Sequence, residues 1–257
     1  MAFKKLKLWF DKDLLKMLSD KILEVEPDFP EAAFKRGFEK EVKELELKDR
    51  VEKMADRLNQ HLTGDYPQKI KLLLQILGPE NEEETGMFTE FYWVMPIAKF
   101  VEKYGLNHFD LSMRAIREIT KRNTSEYTIR PFIEQNQDKT MAQLLKWSKH
   151  KNKHVRRLAS EGPRPRLPWA TKLQGFIDNP APLLPILENL KDDPSKYVQK
   201  SVANCMNDIL KDNEAIAKKT LQNWTKNAGK ERKWIIKHAL RNFLKKDVAW
   251  AKAMVKK

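Results

Sequence analysis

Four short tetrads constrain this chain more than anything else in it. Tyr127-Thr128-Ile129-Arg130, His154-Val155-Arg156-Arg157, Tyr197-Val198-Gln199-Lys200 and Trp234-Ile235-Ile236-Lys237 share one shape: an aromatic or His, then an apolar or Thr residue, with Arg or Lys in fourth place. The last three recur at intervals of about 40 residues, and the first interval is shorter. Between them lie Lys139–Lys149, Leu183–Leu190 and Ala215–Thr225, whose apolar residues sit three or four apart, as on one face of a helix. A helix pair of this size cannot bury its apolar face alone, but it can do so by stacking on neighbours of the same kind.

The first half follows the same helical habit. From Phe34 to Leu62 apolar residues fall at Phe34, Phe38, Val42, Leu45, Val51, Met54 and Leu58. An apolar run from Ile70 to Leu77 stops at Gly78-Pro79, Asn81–Gly86 reads as an acidic loop, and an aromatic-rich stretch from Phe88 to Tyr104 ends at Gly105. Only 8 glycines are present, and no alternating polar–apolar run is bounded by tight-turn dipeptides, so β structure is expected to be minor. The expected fold class is all-α: a HEAT-like helical repeat solenoid with a concave basic groove, formed by a single domain over residues 1–257.

Charge is distributed unevenly along that domain. Residues 1–110 carry 18 Lys and Arg against 22 Asp and Glu, and residues 111–257 carry the other 32 against 14. The N-terminal helices are thus near-neutral to acidic and the repeats strongly basic, so the repeats are expected to meet an anionic partner, of which nucleic acid is the commonest. The lone Cys205 excludes an internal disulfide and a cysteine-rich zinc site. The charged opening of the chain is unlike a signal peptide, and no apolar run approaches the roughly 18–20 residues of a membrane span. A Gly-rich phosphate loop, a zinc-binding His-Glu-x-x-His helix and a Gly-x-Ser-x-Gly elbow are all missing from the sequence. The expectation is a monomer of an intracellular, reducing compartment, using no metal and no cofactor.

The segment His154–Trp169 is chemically the densest. Its first half reads as the end of a helix, while Gly162 and three prolines stop the second half from continuing it. Glu161 therefore sits where a helix ends, among Arg156, Arg157, Arg164 and Arg166. Glu126 directly precedes the first tetrad, and Asp208 lies on the helix of the third. Each acid reads either as an ordinary surface group or salt bridge, or as one of a set gathered by the repeats. Trp169, after Pro168, reads either as a core plug or as a flat side chain that stacks on a base. Trp93, Trp147, Trp224, Trp234 and Trp250 fall at helical spacing and read as packing residues.

Glu161-Gly-Pro-Arg-Pro-Arg-Leu-Pro-Trp169 resembles the signature of the AlkC family, bacterial DNA alkylation-repair glycosylases built on HEAT-like repeats and related to the AlkD family. Tyr104–Asp110, Ser125–Ile133 and Glu46–Val51 are similar to the same family, and the likeness covers nearly the whole chain. The resemblance implies a monofunctional glycosylase that hydrolyses the N-glycosidic bond of cationic alkylated bases, 3-methyladenine and 3-methylcytosine, in double-stranded DNA. It implies catalytic carboxylates at Glu161, Glu126 and Asp208, a lesion contact at Trp169, and a role beside the DNA for Arg157. With it go expected DNA contacts at Arg156, Arg164, Arg166 and Lys200. Many AlkC proteins add a C-terminal immunoglobulin-like domain, which this chain, closing at Val255-Lys256-Lys257, is expected to lack. Two other readings stay open: a non-catalytic HEAT-like protein that binds bent or branched DNA, and a scaffold that holds an acidic peptide.

Overall fold

The computed structural model describes residues 4–86, 88 and 90–256. Met1–Phe3 and Lys257, which enter the reading of the two chain ends, lie outside them. Among the described residues every regular element is a helix, and no helix is long and apolar enough to cross a membrane. The all-helical expectation is met. The chain packs as two compact units, residues 1–128 and 129–257, with the boundary inside the first tetrad rather than at residue 110, where the charge balance changes.

The first unit holds α1 (Lys12–Leu23), α2 (Glu31–Lys35), α3 (Phe38–Val42), α4 (Leu47–His61), α5 (Tyr66–Gln75), α6 (Met95–Tyr104) and α7 (Phe109–Thr120). The periodic stretch from Phe34 to Leu62 is three helices. Gly37 adopts φ +73° between α2 and α3, a left-handed turn that costs a glycine little. Phe34, Phe38, Val42, Met54 and Leu58 are buried nonetheless, because the break redirects the chain without turning the apolar side outward. Helix α5 begins with a capping box, in which the Asp65 side chain accepts from the Gln68 backbone N–H and the Gln68 side chain returns the bond. Helix α6 starts only at Met95, with Pro96 in its first turn, where the missing N–H costs nothing.

The second unit holds α8 (Ile129–Gln135), α9 (Gln137–Trp147), α10 (Lys153–Glu161), α11 (Gln174–Asp178), α12 (Leu184–Leu190), α13 (Lys196–Asp212), α14 (Glu214–Trp224), α15 (Lys230–Ala239), α16 (Arg241–Lys245) and α17 (Ala249–Val255). Helices α10, α13 and α15 pack side by side in one row, with α9, α12 and α14 behind them. The tetrads fall at the starts of α8, α10 and α13 and within α15. Asn152 caps α10 by accepting from the His154 and Val155 N–H groups, and Ser195 caps α13 by accepting from Val198 N–H.

Polar cross-links between successive repeats carry the repeat length in their sequence separations. Asn189 donates to Ser148, 41 residues away, Trp224 Nε1 to Glu188, 36 away, and Arg232 Nε to Asp192, 40 away. The Ser160 and Ser201 hydroxyls meet at 2.7 Å, 41 residues apart. The tetrads join the same scheme. Arg157 lies over the Tyr197 ring at 4.6 Å, and Lys196, just before the third tetrad, lies over the Trp234 ring of the fourth at 3.1 Å. The recurring pairing of aromatic with cation is therefore packing between neighbouring repeats.

Gly162 closes α10 against α8. A Cβ there would lie 2.5 Å from Ile129 Cγ2, a β-branched and stiff neighbour, and 3.2 Å from the Leu158 carbonyl oxygen. Gly162→Ala is expected to lower stability by about 1–3 kcal/mol through overpacking, read as a lower urea midpoint at unchanged slope.

Candidate active site

Glu161 is the last residue of α10 and is 5% exposed. The carboxyl end of a helix carries partial negative charge, so a buried carboxylate there is doubly disfavoured. Two guanidinium groups offset this. Arg164 NH1 donates to Glu161 Oε1 at 2.7 Å, and Arg157 NH2 stands 3.6 Å from the same oxygen. Arg164 also donates from Nε to Asp208 Oδ2 at 2.9 Å, so one guanidinium bridges two buried carboxylates. Asp208, 2% exposed on α13, lies 3.3 Å from Lys211 through its other oxygen. Burial pushes the Glu161 carboxyl toward neutrality, but Arg157, Arg164 and the Ser201 hydroxyl outweigh it and hold the group below the usual carboxylate range. The pair Glu161 and Asp208 is thus gathered into one buried, charge-compensated cluster, with Glu161 ionised at neutral pH.

The loop after Glu161 is pinned at several points. Arg130, 4% exposed, donates from NH1 to the Gly162 and Arg164 carbonyls at 2.8 and 2.9 Å, and from NH2 to the Thr171 carbonyl at 2.5 Å. Arg166 holds Asp212 through both Nε and NH2, at 2.7 and 2.6 Å. Leu167 and Leu173 are buried, and Leu173 N–H donates to the Pro165 carbonyl. Between these anchors Trp169 is 67% exposed, the most exposed large hydrophobic residue described, at φ +63°. The left-handed region costs a bulky residue roughly 1–2 kcal/mol, so the pinned loop imposes a conformation that Trp169 would not choose.

The other residues singled out from the sequence divide clearly. Arg156 is bound to Asp193 through two nitrogens, at 2.6 and 3.1 Å, across the repeat boundary. Arg164 is buried and shared between two acids, and Arg166 is committed to Asp212; each of these arginines braces the protein. Lys200 is exposed. Glu126 belongs to the first unit, 5% exposed, and accepts from Thr124 Oγ1 at 3.0 Å. Trp93, Trp147 and Trp224 are buried, whereas Trp234 and Trp250 are only partly covered. Sequence reasoning passed over Ser201, Tyr197 and Arg130 as parts of the site. Arg130 carried a signal, being the fourth residue of the first tetrad, but Ser201 is one serine within a long helix and carried none. Among the described residues no group of three or more His, Cys, Asp or Glu side chains is placed to hold a metal ion.

Comparison with known proteins sets this geometry in a family. The model of the DNA alkylation repair enzyme family matches residues 50–243. The uncharacterized protein YhaZ of Bacillus subtilis is 39% identical over 250 residues, covering 97% of this chain and 67% of its own length. Among solved structures, the Pseudomonas fluorescens alkylpurine DNA glycosylase AlkC, bound to DNA containing an abasic site analog, superposes with a TM-score of 0.90 at 32% identity, over 98% of this chain and 68% of that one. AlkD2 from Streptococcus mutans, at 23% identity and a TM-score of 0.53 over 87% of this chain and 98% of its own, shares the helical-repeat fold. The AlkC likeness read from the sequence is borne out: the chain belongs to the DNA alkylation repair enzyme family.

Proposed function

We propose that this protein is a monofunctional DNA glycosylase that hydrolyses the N-glycosidic bond of cationic alkylated bases, 3-methyladenine and 3-methylcytosine, in duplex DNA. The observation that carries the reading is the pairing of an ionised, buried Glu161 with an exposed Trp169 held in a strained conformation eight residues on. Backbone strain and exposed aromatic surface together are characteristic of sites kept for contact with a ligand.

The chemistry suits these groups. Methylation at N3 makes the base cationic. As the glycosidic bond breaks, its electron pair leaves with the base, which departs neutral, and positive charge moves to the sugar. Water adds at the anomeric carbon and gives up a proton. A carboxylate already fixed and ionised stabilises the oxocarbenium-like sugar without reorganising, and it can orient or deprotonate the water. Glu161 fills this role in the proposal, with Asp208 as the second acid. Arg164, held by both, keeps each carboxylate in place. Trp169 stacks against the lesion, and Arg157 braces the DNA beside it. Glu126 is the third acid of the proposal. The structural likeness to an alkylpurine DNA glycosylase supports the glycosylase reading.

A second reading, DNA binding without catalysis, draws on the close engagement of Glu161 by two arginines, which also describes a structural ion pair. One experiment separates the two. Wild-type protein is expected to release 3-methyladenine from dimethyl-sulfate-treated DNA, and Glu161→Gln, assayed well below its unfolding midpoint, to lose about 10³-fold in rate, or roughly 4 kcal/mol. DNA binding by the wild type without release of base would leave only the second reading.

Acid stability follows from the same carboxylate. Because the Glu161 pKa is lowered on folding, its contribution is present above the unfolded value of about 4.5 and is lost as pH falls through the lower folded value. Glu161→Gln is expected to remove that part of the acid slope from a stability–pH profile. Trp169→Gly should separate stability from function: relief of the left-handed strain leaves the unfolding midpoint unchanged or raises it by up to about 1 kcal/mol, while base release falls at least tenfold.

A further inference from the structure

One cationic cluster in the second unit is bound to no carboxylate among the described residues. Lys196 and Lys200 lie on α13, His238 on α15 and Arg241 at the start of α16. Among the described residues none of the four forms an ion pair with a carboxylate. Elsewhere in this unit Arg156, Arg157, Arg164, Arg166 and Arg232 each hold an acid. Arg241 instead donates from NH1 to the His238 carbonyl at 2.8 Å and from NH2 to Asn204 Oδ1 at 3.1 Å, which fixes its guanidinium while leaving N–H groups unspent. The Trp234 ring organises the rest, with Lys196 over it at 3.1 Å and His238 stacked on it at 4.7 Å, 10° from parallel.

These groups feel one another. Burial, then Arg241, Lys200 and Lys196, all disfavour the protonated form of His238. Burial and the nearby Arg164 oppose charge on Arg241, with Asp208 pulling the other way. The remaining acid within reach is Glu231, which favours charge on Lys196 and stands 3.7 Å from Lys230. Repelling cations held by hydrogen bonds and an aromatic platform form a site that is relieved when an anion with several acceptor oxygens enters.

We propose that Lys196, Lys200, His238 and Arg241 form a phosphate clamp for the DNA backbone, on the helix row that carries Glu161 and Asp208. This rests on the glycosylase reading, because it takes DNA to be the partner. It adds a binding role to α15 and α16 that the spacing of the tetrads did not assign. A bound phosphate offsets the charges that hold His238 below the ordinary histidine value, so it draws a proton onto the ring, and affinity rises as pH falls below about 6.5.

The test is binding of an undamaged DNA duplex as a function of KCl concentration, by wild type, Lys200→Gln/Arg241→Gln and Arg241→Lys. Each phosphate contact contributes about 0.9 to the slope of log affinity against log salt. The double variant is expected to lose about 2 from that slope and to bind roughly tenfold or more weakly at 0.1 M salt, while Arg241→Lys keeps the slope. His238→Asn is expected to lose the rise in affinity toward acid pH. A wild-type slope in the double variant overturns the clamp and leaves the glycosylase reading standing. No duplex binding by wild type overturns both. Tighter binding of poly-glutamate than of DNA, lost in the double variant, makes the cluster a site for an acidic protein segment and overturns the clamp.

Discussion

The second unit is organised around one guanidinium. Arg164 reaches back to Glu161 at the end of α10 and across to Asp208 about one turn before the end of α13, 44 residues further along the chain. Two carboxylates at 5% and 2% exposure need a cation beside them to offset their loss of water. The cation in turn could not be buried without acids beside it: burial opposes its charge, but Glu161 and Asp208 outweigh burial and push its already high pKa further up. The three groups are therefore interdependent. Together they fix the angle at which the Pro-rich loop leaves α10 and the register in which α10 lies against α13. Arg157 and Lys211 complete the neutralisation from either side.

That arrangement explains why a basic protein carries a short run of arginines around one glutamate. The sequence suggests that these cations wait for DNA. In the folded chain Arg156, Arg164 and Arg166 are each bound to an acid from the next repeat, at Asp193, Asp208 and Asp212. Their first task is to lock one repeat to the next and hold a loop rigid. Buried Arg130 does the same from the other side by donating to three carbonyls of that loop. The rigidity is concentrated at Trp169, which stays exposed in a backbone conformation that a mobile loop would relax. Under the proposed glycosylase reading, a fixed carboxylate and a fixed, exposed aromatic would meet a cationic base without reorganising.

The division of labour among the tetrads follows from their positions in the helices. In α10 and α13 the aromatic and basic residues meet their counterparts in the neighbouring repeat, so Arg157 covers Tyr197. Lys200, one turn along α13 from Tyr197, stays exposed. The same four-residue pattern thus places one cation in an interface and leaves another at the surface. Its meaning depends on what the next repeat brings to that height.

Periodicity alone determined that this chain is helical and repetitive, since apolar residues three or four apart and an interval near 40 residues admit few other ways to bury a core. Local chemistry likewise determined that α10 ends at Glu161, because Gly162 and the prolines cannot extend it. Family likeness in residues 161–169 marked that segment as the candidate site. Only the tertiary structure decided which charges meet. Pairs such as Arg164 with Asp208, Ser160 with Ser201 and Arg241 with Asn204 are separated by a whole repeat, and such pairing depends on the offset between stacked helices, which one strand of sequence does not encode locally. Burial was decided there too: Trp169 is exposed and Trp224 is core, although both are tryptophans in a helical-repeat chain, because a pinned loop holds one outward and the helices packed around the other remove it from water.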